Sequence, residues 1–248
     1  MRYLIGSLLI FICIGAKAGN STCSLNVVSV KYSEAKSSIL LWQSVGGFWG
    51  DEQVPYETKG FISNVVSSID RNDQPLIVWL EVGDSDNRLM SISKDAYSEW
   101  TSPTVILSSK SELTSPAIIR ASDSTVYLSW VSDARGNDDV YFARFIESES
   151  SSPVGVNAKN KVPDILPSLS IDNDGSVGLS WRAFKDPLIG YEEKFISLTS
   201  ALTADGMQQV LSRQCVYDRS SIKLPESSEP LFVNYHQDVF FSFEHVQY

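Results

Sequence analysis

The sequence predicts an all-β fold, a β-propeller of about five four-stranded blades with irregular first and last blades. Three observations predict it. Trp79, Trp130 and Trp181 are spaced by 51 and 51 residues, and each ends an apolar strand, PLIVW, VYLSW or VGLSW. Fourteen residues before each tryptophan an earlier apolar strand starts, at Val65, Pro116 and Pro167. No long segment carries the 3.6-residue apolar periodicity of a helix. Four short strands repeated in line every ~40–50 residues mark propeller blades, which are twisted sheets packed face to face. A β-sandwich also needs short strands, but not the equal spacing.

Residues 1–18 read as a signal peptide, and residues 19–248 as a single propeller domain. Arg2 supplies the positive start, Leu4–Ile14 the apolar run, and Ala16-Lys17-Ala18 the cleavage pattern. The run is too short to span a bilayer comfortably, and no later segment is apolar enough to do so. Cys13 follows bulky Phe11 and Ile12, which makes a poor lipid-attachment site. The expected protein is exported, to a periplasm or the cell exterior. Without Arg2 and Lys17 it keeps 18 basic and 30 acidic side chains, a net charge of −12. Such a surface repels phosphate backbones and argues against nucleic acid as a partner. Two cysteines remain, Cys23 and Cys215, and an even pair in an oxidising compartment suggests a disulfide. Buried free thiols are the other reading.

In chain order, VSVKYSEAKSSILLW ends on Trp42 and reads as a weaker first copy of the repeated hairpin. The three strong copies follow. Their turns are Asp70-Arg71-Asn72-Asp73, Ser122-Asp123-Ser124 and Asp172-Asn173-Asp174-Gly175. Asn and Asp bond their own turn and tolerate left-handed backbone, and Gly supplies positive φ. Arg88–Ser93, Val140–Phe145 and Lys194–Leu198 fit third strands, while Thr104–Leu107, Val154–Val156 and Gln208–Leu211 fit fourth strands. Only 22 residues lie between Trp42 and Val65, against 36 between Trp79 and Pro116, so the first unit is expected to lack a strand. The fourth unit is expected to hold an insertion near Val216–Ser228, and PLFVNYHQDVFFSF reads as a fifth, truncated copy.

The central unit runs Trp130-Val-Ser-Asp133-Ala-Arg135-Gly136-Asn137-Asp138-Asp139-Val140-Tyr141-Phe-Ala-Arg144. It resembles the blade pattern W-x-D-x-R-x-G-N-x-D-I-Y-x-x-R, with Asp133 and Arg135 one place late. The next unit, from Pro167 through Asp172 and Gly175 to Trp181, is similar to the hairpin of the same group. On these motifs residues 63–213 resemble the sialidase-like (BNR-type) exported β-propellers. The resemblance implies a propeller. It does not by itself imply an activity, because one fold hosts many functions.

The catalytic features of that group are not matched. Sialidases carry Asp-boxes, S-x-D-x-G-x-x-W, and Ser170 to Gly175 comes near with its glycine one residue late. Arg120, Arg144 and Arg182 are the available candidates for a carboxylate clamp, but they fall at different places within their blades and read as solvated or blade-bracing groups. Asp172-Asn173-Asp174-Gly175 is short for a calcium loop, which draws six or more oxygens from a longer segment. His236 and His245 lack partners at zinc-ligand spacing, and no G-x-S-x-G marks a nucleophilic serine. No cofactor or metal is therefore expected. Trp49, in Gly46-Gly47-Phe48-Trp49-Gly50, stands away from the position of the repeated tryptophans. It is the candidate ligand-binding residue, stacking on a sugar or anchoring a protein, unless its loop folds back as a cover. The reading is a non-catalytic binding or scaffold propeller for a protein or glycan partner. The alternative is a diverged sialidase-like glycoside hydrolase.

Overall fold

The computed structural model describes residues 9–13, 23–45, 48–69, 74–95, 97–121, 125–146, 149–156, 161–172 and 175–198. Every regular element among them is a β-strand. The first sheet holds β1 (Leu9–Cys13), β2 (Cys23–Tyr32), β3 (Ser37–Val45), the two-residue β4 (Phe48–Trp49) and β5 (Gln53–Thr58). Its order is β1-β2-β3-β5, with β4 also on β3. The second is β6 (Phe61–Ile69), β7 (Pro75–Val82), β8 (Asn87–Ser93) and β9 (Thr104–Ser109), paired in that order. The third is β10 (Leu113–Arg120), β11 (Val126–Ser132) and β12 (Asp139–Ile146), with β13 (Glu149–Ser150) and β14 (Val154–Gly155) on β12. The fourth is β15 (Asp164–Ile171), β16 (Val177–Asp186) and β17 (Gly190–Ser197). All pairings are antiparallel, between strands next to each other in sequence or, for β3–β5 and β12–β14, separated by one two-residue strand, so each sheet is a meander that serves as one blade.

Successive blades pack face to face. Val28, Val30, Ile39 and Leu41 of blade 1 meet Ile62, Val65, Ile77 and Trp79 of blade 2. Val66, Val78 and Leu80 on the other face of blade 2 meet Ile118, Leu128 and Trp130 of blade 3. Tyr127, Val131 and Val140 then meet Leu169, Leu179 and Trp181 of blade 4. Because both faces are covered, β7 and β11 are mostly apolar and buried without alternation up to Glu81 and Ser132, and Trp79 and Trp130 are at most 1% exposed. Burying one such aliphatic side chain contributes about 1.5–3 kcal/mol. This consecutive stacking of antiparallel meanders, of three described strands in blade 4 and four or more in the others, with tryptophans at one repeated position in blades 2 to 4, makes the fold a β-propeller.

The first strands of blades 3 and 4 share a bulge. Ser115 and Leu166, 51 residues apart, both have positive φ (50° and 53°), each just before a proline. The ladder slips there, between Thr114 and Ala117 and between Ile165 and Ser168. The extra residue bends the inner strand where it starts. The hairpin expected at Asp172–Gly175 closes as its residues require: Gly175 has φ 83° and its N–H donates to the Asp172 carbonyl at 2.8 Å.

Blade 1 corrects two expectations. In the uncleaved chain it has a fourth strand, because Leu9–Cys13 lies antiparallel to β2, with Cys13 opposite Cys23. That strand falls within the segment read as a signal peptide. Trp42 is also not the counterpart of Trp79. The Tyr32 hydroxyl donates to the Ile62 carbonyl and the Ser37 hydroxyl to the Gly60 carbonyl at 2.9 Å, so the β2–β3 turn sits where β6 begins. In blades 2 and 3 that end of the sheet holds the turn from second to third strand. β2 is thus a second strand and β3, which carries Trp42, a third. The 51-residue frame agrees: β5 and β9 start and end 51 residues apart, and Val28 occupies the place of Trp79. The expected fourth strand Gln208–Leu211, the insertion near Val216–Ser228 and the fifth copy lie outside the described residues.

Candidate functional site

The W-x-D-x-R-x-G-N-x-D motif builds the seam between blades 3 and 4. After β11, Asp133 accepts a hydrogen bond at Oδ1 from the Glu112 amide at 2.8 Å, which ties the loop to the start of β10. The Gly136 N–H returns to the Asp133 carbonyl at 2.8 Å with φ 92°, a conformation that suits glycine. The turn sets the Arg135 guanidinium 5.5 Å from the Tyr141 ring centre. Gly155 backs it, and a Cβ there would stand 3.3 Å from Arg135 Nη1. Asn137 then donates from Nδ2 to Asp139 Oδ1 at 3.2 Å.

Two buried carboxylates complete this seam. Asp164 opens β15, is fully buried, and accepts a hydrogen bond at Oδ1 from Trp181 Nε1 at 3.1 Å. Its amide donates to the Asp138 carbonyl at 2.7 Å. Asp139 is 2% exposed. Burial pushes its carboxyl above the usual carboxylate range, Arg135 pulls it back, and the charges of Asp164 and Asp138 raise it further. These residues clamp blade to blade. Sequence reasoning saw Asp139 only as part of the pattern and missed Asp164. One signal was available: Asp164 stands 51 residues after Leu113 and 102 after Ile62, a carboxylate in an apolar column.

The seam of blades 1 and 2 uses other groups. The Tyr56 ring lies 4.6 Å from that of Trp79, and its hydroxyl donates to Glu81 Oε2 at 2.9 Å. Burial raises the Tyr56 hydroxyl above its ordinary value. In the loop above, Asp86 accepts from Arg88 Nε and Nη2 at 3.2 and 3.1 Å and from the Ser108 hydroxyl at 2.6 Å. The Arg88 guanidinium and Ser108 hydroxyl hold Asp86 down at about 2.

The remaining candidates are placed as follows. Trp49 pairs with Ser44 and is half-buried, and the neighbouring Phe48 is 83% exposed. Trp49 stands 51 residues before Trp100, so it belongs to the repeat at the third-to-fourth strand connection. There Lys94 lies 5.0 Å from the Trp100 ring centre, and Tyr97 is 86% exposed. Arg120 and Arg144 lie on the two sides of β11, opposite Val126 and Tyr127, while Arg182 is opposite Ile165 at the other end of its sheet. The three arginines are not brought together. Asp172 Oδ2 accepts from the Ser176 hydroxyl at 3.3 Å within its hairpin. No group of three or more His, Cys, Asp or Glu among the described residues is placed to hold a metal ion. Among them, too, no helix is long and apolar enough to cross a membrane. Cys215, His236 and His245 lie outside the described residues, so the Cys23–Cys215 pairing has no counterpart there.

No family model matches the chain, and no curated protein matches it. Several solved structures are similar to it in shape. An endo-arabinase from Bacteroides thetaiotaomicron aligns at 13% identity and a TM-score of 0.47, over 72% of each chain. A GH32 β-fructofuranosidase from Bombyx mori aligns at 9% identity and 0.39, over 78% of this chain and 57% of that one. An endo-1,4-β-xylanase from Bacteroides thetaiotaomicron aligns at 10% identity and 0.38, over 75% and 84%. The propeller assignment rests on the blade geometry above.

Proposed function

We propose that this chain is an exported propeller that binds a glycan through the connections between third and fourth strands, without cleaving it. One observation carries the reading. Two successive connections, in blades 1 and 2, each raise an exposed aromatic ring, Phe48 and Tyr97, beside a tryptophan in the same 51-residue frame, Trp49 or Trp100. Aromatic faces on a rigid frame stack on the apolar faces of sugar rings. The buried carboxylates support binding without hydrolysis. Glu81, Asp139 and Asp164 are at most 9% exposed, and each has a hydrogen-bond donor within the fold. Export is supported by the Arg2, Leu4–Ile14 and Ala16-Lys17-Ala18 pattern. The test is affinity electrophoresis of the mature protein in gels holding single soluble polysaccharides. At least one polysaccharide should retard the protein and yield no new reducing ends. The double variant Phe48→Ala, Tyr97→Ala should weaken that retardation about tenfold, since each stacked aromatic contributes about 0.5–1.5 kcal/mol. Unchanged retardation of the variant would sink the reading.

A second reading, a glycoside hydrolase, is favoured by Asp139. A carboxyl held towards its protonated form beside a second carboxylate is what a proton donor in glycoside hydrolysis needs. The solved structures above bear names of enzymes of that kind. Polysaccharide hydrolysis by the wild type that Asp139→Asn abolishes, with folding intact, would establish this reading over the first.

A further inference from the structure

The connection between third and fourth strands in blade 2 joins a cation to its exposed ring. Lys94 and Trp100 form a single antiparallel bridge at its base. The Trp100 ring packs on the core shared by blades 1 and 2, and the Lys94 ammonium lies 5.0 Å from the ring centre. Hydrogen bonds fix the loop beyond this pair. Asp95 Oδ1 accepts from the Tyr97 amide at 2.8 Å and from the Glu99 amide at 3.0 Å. The Asp95 amide donates to the Glu99 carbonyl at 2.8 Å, and the Ser98 amide to the Asp95 carbonyl at 3.0 Å. Ser98 closes the turn with φ 65°. Tyr97 therefore stands on a fixed tip.

The charge of Lys94 is not neutralised within the fold. Among the described residues Lys36, Arg88, Lys185 and Lys194 each meet a carboxylate, and Lys94 does not. The carboxylate next to it in the chain, Asp95, is held by its own loop. Acidic side chains outnumber basic ones 30 to 20, so a counter-ion would be easy to supply. The frame position behaves differently in blade 1. Gln43, 51 residues before Lys94, donates from Nε2 to Asn26 Oδ1 at 3.3 Å and accepts at Oε1 from Gln53 Nε2 at 3.3 Å. There the group is neutral and its hydrogen bonds stay inside the blade. An ammonium resting on an indole face still has donors to offer outward.

We propose that the glycan bound at this site is acidic: Lys94 pairs with an anionic group on a sugar, a carboxylate or a sulfate, beside the ring that Tyr97 stacks on. This rests on the glycan-binding reading above. The acidic surface repels a polyanion at long range, but at physiological salt that field fades beyond about 8 Å, so the cation in contact decides.

The test is isothermal titration calorimetry of the mature protein at about 0.15 M salt. The probes are polygalacturonate, alginate and hyaluronan, each beside its carboxyl-reduced neutral form, and a sulfated galactan beside its desulfated form. At least one acidic polymer should bind about fivefold or more tighter than its neutral form. Preference within the carboxyl pairs or within the sulfate pair identifies the anion. Lys94→Gln should erase the preference, and Lys94→Arg should keep it. Equal binding of the charged and neutral forms, or a preference that Lys94→Gln leaves intact, would overturn the proposal while the glycan-binding reading stands. Binding to none of these polymers, nor to any polysaccharide in the retardation assay, would overturn both.

Discussion

The loops between second and third strands in blades 2 and 3 occupy one position in the repeat and use opposite chemistry there. Asp86 and Arg88 in blade 2 stand 51 residues before Asn137 and Asp139 in blade 3. In each loop the side chains at these two positions bond to each other. In blade 2 the acceptor comes first and a guanidinium second, the pair is partly exposed, and the carboxyl is held low. In blade 3 the donor comes first and the carboxylate second, and burial at the seam holds that carboxyl high. The backbone frame therefore fixes which positions meet, and the neighbouring blade decides which charge is tolerated. Blade 2 meets its predecessor through Tyr56 and Trp79, while blade 4 presents Asp164 to its predecessor's loop.

The largest effect should test whether the frame itself is equivalent from blade to blade. Trp79→Ala and Trp130→Ala each empty a fully buried wedge and should each lose about 3–5 kcal/mol of stability in urea unfolding. Losses that differ several-fold between the two would break the equivalence of their seams. The next effect tests the position where the column changes chemistry. Asp164→Leu installs the residue that blade 3 carries at this place, Leu113. It orphans the buried Trp181 Nε1 and should cost about 1–3 kcal/mol. Trp79 Nε1 already lacks a hydrogen-bond partner, and the residue at the place of Asp164 in its blade, Ile62, has a side chain that can offer none. A neutral Asp164→Leu would mean that the indole bond contributes nothing at the seam of blades 3 and 4.

The same two seams show how far the sequence could be read. The frame was legible from Trp79, Trp130 and Trp181, because a blade covered on both faces needs a large ring at one fixed place. The turn at Asp172–Gly175 was legible because its geometry is local. Trp42 misled because ILLW ends an apolar strand as PLIVW does. Antiparallel meanders look alike when the phase slips by one strand, and only the contacts of Tyr32 and Ser37 with blade 2 fix the phase. Trp49 seemed isolated until Trp100 was recognised as its partner in the frame. The Asp164–Trp181 bond joins groups 17 residues apart across a bulge, a geometry that local pattern does not reveal.

The smallest effect is the sharpest test of the two loops, because they should respond to pH in opposite directions. Asp139 has a raised carboxyl in the folded chain, so its ionisation opposes folding. Its favourable contribution is complete below the unfolded value of about 3.9 and is lost as pH rises through the folded value. Asp139→Asn should therefore gain on the wild type as pH climbs from about 4 to 7. Asp86 is lowered to about 2, so its contribution is present above the unfolded value and disappears as pH falls towards 2. Asp86→Asn should lose stability against the wild type at pH 7, and that loss should shrink through the acid range. Denaturation midpoints of the three proteins, measured from pH 3 to 7, should give difference curves of opposite slope. Parallel curves would mean that Asp139 is solvated in solution, and that the buried charge at the seam of blades 3 and 4 is not what separates the two loops.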